Sequence, residues 1–431
     1  MKTISSRERL EAALERISDP KGEGRRACLT VYAEAARAAA DAADARARCG
    51  VTLGPLDGAI VTIKDLFDVA GEPTRAGSKI LADAPPARED APVVRRLRAA
   101  GAVIVAKTNM TEFAFSGVGA NPHYGTPGNP RDRTRVPGGS SSGAGVAAAD
   151  GMCEIAIGSD TGGSTRIPAA LCGVVGFKPS KWRVPTEGAF PLSYTLDSIG
   201  PLARTVEACF HADAVMAGEE PEPLEPAPLA GLRLAVPRNP AFTEPDETVA
   251  KAFADGLERL RKAGARIGDT PFPFLEEMLA ANPKGGFPVP EAYSIHRERL
   301  AARGEDFDPN VRTRVSRGAS ITAADYIDLI QIRNRLVDEI DAWIEDFDAL
   351  LLPTTPIVAP TLAEMQDPET FARKNATLLS NTSIVNFFDL CAISLPLPTA
   401  GLAVGLMLIA RNGEDHRLFR IARATEQVLS A

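Results

Sequence analysis

An α/β fold with a large, mostly buried mixed sheet is the class this sequence predicts. Short aliphatic and β-branched runs recur along the chain: AIVTIK at 59–64, AVIVA at 102–106, LRLAVP at 232–237 and ALLLP at 349–353. Amphipathic or charged segments of helical length separate them. Several of the runs are apolar throughout, the pattern of strands covered on both faces.

The elements follow in order. Residues 7–17 form a first helix, stopped near Ser18-Asp19-Pro20, and the Ala- and Arg-rich stretch 34–49 forms a second. GAIVTIKD then reads as a buried strand closing at Lys64, followed by a helix over 91–100 and a strand over 102–106. From Gly117 to Ser164 Gly, Pro, Ser and Asn dominate, apart from a helix-like AGVAAAD and a short strand around CEIAIG. A long loop region inside a compact chain is usually functional. Residues 202–217 read as helix, 219–230 as a surface connection, 247–263 and 322–347 as helices, and EDHRLFRIARATEQVL as a closing helix. No internal repeat is present.

The 431 residues are 45% hydrophobic and 24% charged, ordinary for a globular protein with a large core. A net charge of −8 disfavours nucleic acid and anionic membrane surfaces as partners. Six scattered cysteines without a C-x-x-C pair read as reduced thiols, so the cytoplasm is the expected compartment. The N-terminus is amphipathic, not an apolar signal core. Cys391–Ala410 carries no charge, but Pro396, Pro398 and Gly401 divide it into strand, loop and strand rather than a membrane span.

Four motif matches fail on context. GAVIVAKT at 101–108 lacks the second glycine of a phosphate-binding loop, where Ala106 stands. GSSSG at 139–143 matches the nucleophile-elbow pattern at Ser141, but NPRDRTRVPG precedes it where a central strand is required. The S-x-x-K at Ser18–Lys21 sits in a helix stop. No H-E-x-x-H occurs, so neither catalytic metal nor cofactor is expected.

Two Gly/Ser-rich segments remain, PGGSSSGAG at 137–145 and GSDTGGSTRIPA at 158–169. Such runs next to a strand end turn several backbone N–H groups toward one point, as in an oxyanion hole. Tight turns or a linker are the bland alternative, though a linker would lack Arg166, Ile167, Pro168 and the flanking strand.

GSDTGGSTRIPA, with PGGSSSG and TIKDLFDVAG upstream, resembles the core of the amidase-signature family. The resemblance runs collinearly through GAVIVAKTNMTEFAFSG, ALCGVVGFKPS, LDSIGPLART, LLLPTTP and VGLMLIARNGED, over nearly the whole chain. It implies one domain over 1–431, with a catalytic core at about 55–215 and a large twisted mixed sheet covered by helices on both faces. By position it implies Ser164 as nucleophile, Ser140 as a bridging serine after a cis peptide bond, and Lys64 as the catalytic lysine. The backbone N–H groups of Thr161, Gly162, Gly163 and Ser164 match the family's oxyanion hole. Ser141 is read as loop support, and Asp160 with Arg166 as an ion pair shaping the loop; the alternative for Arg166 is contact with a substrate carboxylate.

The chemistry is coherent on its own terms. A serine hydroxyl needs a base, and lysine serves only when neutral, a state that burial favours. Thr165 after the nucleophile, GGSSSG in place of the commoner GGSSGG, and a trimmed region between about 220 and 350 depart from the family pattern without touching the three residues. The expected function is hydrolysis of a small carboxamide. The alternatives are the A component of a tRNA-dependent amidotransferase, which delivers ammonia to a partner protein, and a non-catalytic ligand-binding homologue. Phe115, Tyr124, Phe190 and Tyr194 are candidate pocket residues. A homodimer is the default expectation for oligomeric state.

Overall fold

The computed structural model describes residues 4–430. Its strands are β1 (Cys28–Val31), β2 (Ile60–Lys64), β3 (Val103–Thr108), β4 (Ile155–Asp160), β5 (Val175–Lys178), β6 (Ser198–Ala203), β7 (Arg233–Arg238), β8 (Arg266–Pro271), β9 (Ala349–Pro353), β10 (Cys391–Pro396) and β11 (Gly405–Ala410). All eleven join one sheet in the order β1-β3-β2-β4-β6-β5-β10-β11-β9-β7-β8. It is mixed: β2 runs parallel to β3 and β4, β7 runs parallel to β8 and β9, and the strands between pair antiparallel.

The apolar runs are buried on both faces because successive side chains alternate across the sheet. Val61, Ile63, Ile104, Ile155 and Ile157 enter one hydrophobic cluster. Their strand neighbours Ile60, Val103, Val105 and Ala156 enter another, with Ala144, Val146 and Ala147 of the helix Ser142–Ala149. The same alternation divides Leu351, Ile393 and Leu408 from Leu350, Ala392 and Ile409 at the far end. At the N-terminus, Ser5 and Glu8 form a reciprocal capping box that starts the helix Ser6–Ser18.

Most expected elements are present with boundaries shifted by a few residues. The stretch 202–217 is corrected: its first two residues belong to β6, and the helix starts at Val206, capped by the Thr205 hydroxyl. β1, β5, β6 and β8 carry no strand signal in the sequence reading. β8 is mostly exposed along RIGDTP, and β5 has only four residues, so neither shows a readable period. Among the described residues, no helix is long and apolar enough to cross a membrane.

Candidate active site

β2 and β4 are adjacent and parallel, with Ile63 opposite Ile157, so both release their functional residues at one edge of the sheet. Sites in α/β sheets form at such carboxyl ends. Lys64 closes β2, and Ser159 and Asp160 close β4. The turn 161–165 then feeds the helix Arg166–Cys172. Ser140 and Ser141 precede the helix Ser142–Ala149, and the Gly139–Ser140 peptide bond is cis.

Lys64 is fully buried; its Nζ lies 2.8 Å from Ser140 Oγ and 2.9 Å from Ser159 Oγ. Burial pulls the amine down from its ordinary 10.5 to about 7, against the opposing pull of Asp160 and Asp197. Ser164 is 4% exposed; its backbone carbonyl accepts from Ser141 N at 3.3 Å. Among the described residues, the side-chain hydrogen-bond chain runs Ser159–Lys64–Ser140 and does not continue to Ser164 Oγ. Catalytic hydrogen bonds often tighten only when substrate is bound. Ser141 is buried, with its hydroxyl donating to Ser159 O at 3.3 Å.

Asp160 and Arg166 are both fully buried and meet through Nε at 3.1 Å and Nη2 at 2.9 Å. Arg166 also donates to Thr382 O at 3.0 Å and Asn386 Oδ1 at 2.7 Å, which leaves it inside the fold rather than facing a ligand. Asp160 further accepts from Gly163 N at 2.8 Å, Thr165 N at 3.1 Å and Thr165 Oγ1 at 2.9 Å. Burial alone would raise this carboxyl, but Arg166, Asn386 and Lys178 outweigh it and hold it far below the usual range. The Gly-rich turn is thus folded round one anion. Gly163 has φ +135°, where a Cβ would overlap Thr382 Oγ1, so only glycine fits.

Of the four expected backbone donors, the Gly163 N–H donates to Asp160 Oδ1. The N–H groups of Thr161, Gly162 and Ser164 donate to no protein group among the described residues, and all three residues line a cavity of about 410 Å³. Phe115 lines it as expected, together with Phe242, Leu275, Met278 and Phe287. Phe190 and Tyr194 instead line a neighbouring cavity that reaches Ser159 and Thr161. Tyr124 lies apart, its hydroxyl 3.4 Å from Ser78 O.

Sequence reading missed Arg314. It lines the Ser164 cavity, donates to Phe115 O at 2.5 Å, and sits 4.2 Å from the Phe115 ring centroid. Burial and Arg317 lower its guanidinium to about 10, and among the described residues no carboxylate pairs with it. Its helix, Pro309–Ser316, holds no motif, so the sequence carries no signal for it. Ser159 was legible in principle, as the middle residue of the GSD at a strand end. Among the described residues, no cluster of His, Cys, Asp and Glu is arranged to hold a metal ion.

A buried lysine joined to two serine hydroxyls thus lies at the same sheet edge as a serine whose turn leaves backbone donors free toward a cavity. The chain belongs to the amidase family, whose model matches residues 8–419. It is 38% identical to a 2-amino-5-chloromuconic acid deaminase of Comamonas testosteroni, over 91% of this chain and 86% of the relative. It is 36% identical to the A component of the glutamyl-tRNA(Gln) amidotransferase of Anaeromyxobacter dehalogenans, over 99% of this chain and 94% of that one. A crystal structure of an amidase superposes with a TM-score of 0.85 at 36% identity, covering 99% of this chain and 96% of the other. The protein is an amide-hydrolysing enzyme of α/β fold.

Proposed function

We propose that this enzyme is a free-standing amidase that hydrolyses a carboxylate-bearing carboxamide through an acyl-enzyme on Ser164. The observation that carries the reading is Lys64: fully buried, held by two serine hydroxyls and drawn down to about 7. Among the described residues it is the one buried amine within reach of the Gly-rich turn that has no carboxylate or carbonyl partner. Lys178, by contrast, donates to Pro179 O and Leu390 O, both at 2.8 Å.

Neutral Lys64 takes the proton of Ser140 Oγ as Ser140 takes that of Ser164 Oγ, and Ser164 Oγ bonds to the amide carbon. The oxygen of the tetrahedral intermediate faces the N–H groups of Thr161, Gly162 and Ser164. The C–N bond then breaks, and the Lys64 ammonium returns its proton through Ser140 to the departing nitrogen. Water then gives a proton to the same relay as its oxygen bonds to the acyl carbon; the ester bond to Ser164 Oγ breaks, the relay returns the proton to Ser164 Oγ, and the carboxylic acid leaves and ionises. Asp160, Arg166 and Ser141 hold the loops and touch no reacting atom.

The apolar walls and the single guanidinium of Arg314 support an acyl group with an unsaturated or aliphatic body and an anionic end. Five buried thiols and one exposed thiol, none paired among the described residues, support a reducing cytoplasmic setting. The amidotransferase reading has the near full-length match as its support. Purification alone separates the two: ammonia release from dicarboxylic monoamides by the isolated chain supports the free-standing reading. Activity only with a co-purifying partner protein overturns it, and loss of activity in Ser164→Ala tests the nucleophile.

A further inference from the structure

Thr161 begins the turn that carries the candidate oxyanion donors, and something must fix its angle. In the β4–β6 pairing Asp160 lies opposite Ser198, which brings Thr161 against Asp197, the residue before β6. The Thr161 hydroxyl donates to Asp197 Oδ1 at 2.5 Å, while Leu192 N at 2.9 Å and Ser193 N at 3.1 Å donate to Oδ2. Three donors and no acceptor converge on this side chain, which suits the carboxylate anion. Burial pushes the carboxyl up, and the three donors oppose that push. Asp197, Ser159 and Thr161 together line a cavity of about 420 Å³ behind the Gly-rich turn.

We propose that Asp197 is a positioning residue for amide hydrolysis: it ties the Thr161 hydroxyl, and with it the donor turn, to the 192–197 loop, and its charge acts on the Lys64 amine. This rests on the reading of Lys64 as the base. The charged groups acting on Lys64 are Asp160 from the end of β4 and Asp197 from the segment before β6; Ser140 and Ser159, which touch it, are neutral. Asp160 is already committed to Arg166. Asp197 forms no ion pair among the described residues: its bonds are to a hydroxyl and two amides, and the cation that acts on it through space is Lys181. A negative charge favours the ammonium, so removing it leaves Lys64 neutral at lower pH.

The test compares Asp197→Asn, Thr161→Val and Thr161→Ser in the full chain, with kcat, KM and the pH profile of kcat/KM. Asp197→Asn should lower kcat about tenfold with KM within about twofold, and move the ascending limb down by about one pH unit. Thr161→Val should lower kcat by a similar factor with the limb in place, because the carboxylate remains, and Thr161→Ser should recover most of that loss. A structural role alone would not move the limb. An unmoved limb in Asp197→Asn, or wild-type kcat in Thr161→Val, overturns the assignment; if Asp197→Asn does not fold, the Thr161 pair decides. A Lys64→Ala control separates the two readings. If it stays active, the base assignment fails and this inference with it; if it is inactive while the Asp197→Asn limb is unmoved, only the inference fails.

Discussion

Lysine with its ordinary pKa of 10.5 is neutral in about 3 molecules in 10,000 at pH 7, whereas one at about 7 is half neutral. Burial of Lys64 is therefore worth about 10³ in the fraction of enzyme with a competent base at neutral pH. kcat/KM for an amide substrate, followed by ammonia release between pH 5 and 10, should rise with pH along a limb centred near 7 and level off on the alkaline side. Lys64→Ala should lose about 10²–10⁴-fold in kcat and lose that limb from the residual rate. Ser140→Ala should lose less, because water partly replaces a hydroxyl relay. The same shift has a stability signature. The folded pKa is depressed, so between about 7 and 10.5 the unfolded chain binds more protons than the folded one, and stability rises with pH. The contribution is at most about 1.4 kcal/mol per pH unit. Urea unfolding of Lys64→Met across this window should lack that increment, while the contribution of Lys178, lowered by burial to about 8, stays in both proteins. A Lys64→Ala variant with near-normal rate and an intact limb would refute the reasoning.

Further perturbations test the rest of the site. A fluorophosphonate or sulfonyl fluoride should add to Ser164, which lines the cavity, and not to Ser141, which is fully buried; peptide mass mapping reads the adduct between residues 159 and 166. Asp160→Asn leaves Arg166 buried without its anion and should destabilise the fold by about 3–5 kcal/mol, measured from the denaturant midpoint. Arg314→Gln should raise KM for carboxylate-bearing amides about 10- to 100-fold and leave neutral amides nearly unchanged, because a charged hydrogen bond is worth about 1.5–3 kcal/mol; equal effects on both classes would remove Arg314 from substrate recognition.

The sequence by itself carried the mixed α/β class, because uninterrupted runs such as AIVTIK and ALLLP have no stable place except a sheet covered on both faces. It also carried Lys64, Ser140 and Ser164 as candidates, through the collinear resemblance of TIKD, GGSSSG and GGSTR to the amidase-signature motifs. Tertiary structure decided what depends on the packing of distant segments. Lys64 and Ser159 are 95 positions apart in sequence, and Arg166 meets Asn386 across 220. Only β2–β4 pairing and the docking of the helix Thr382–Phe387 bring these partners together. The commitment of Gly163 N to Asp160, the place of Arg314 in the cavity and the burial that lowers Lys64 are likewise properties of assembled surroundings. A local motif fixes which groups are offered; desolvation and hydrogen-bond competition, which need the whole fold, fix which of them remain free to act.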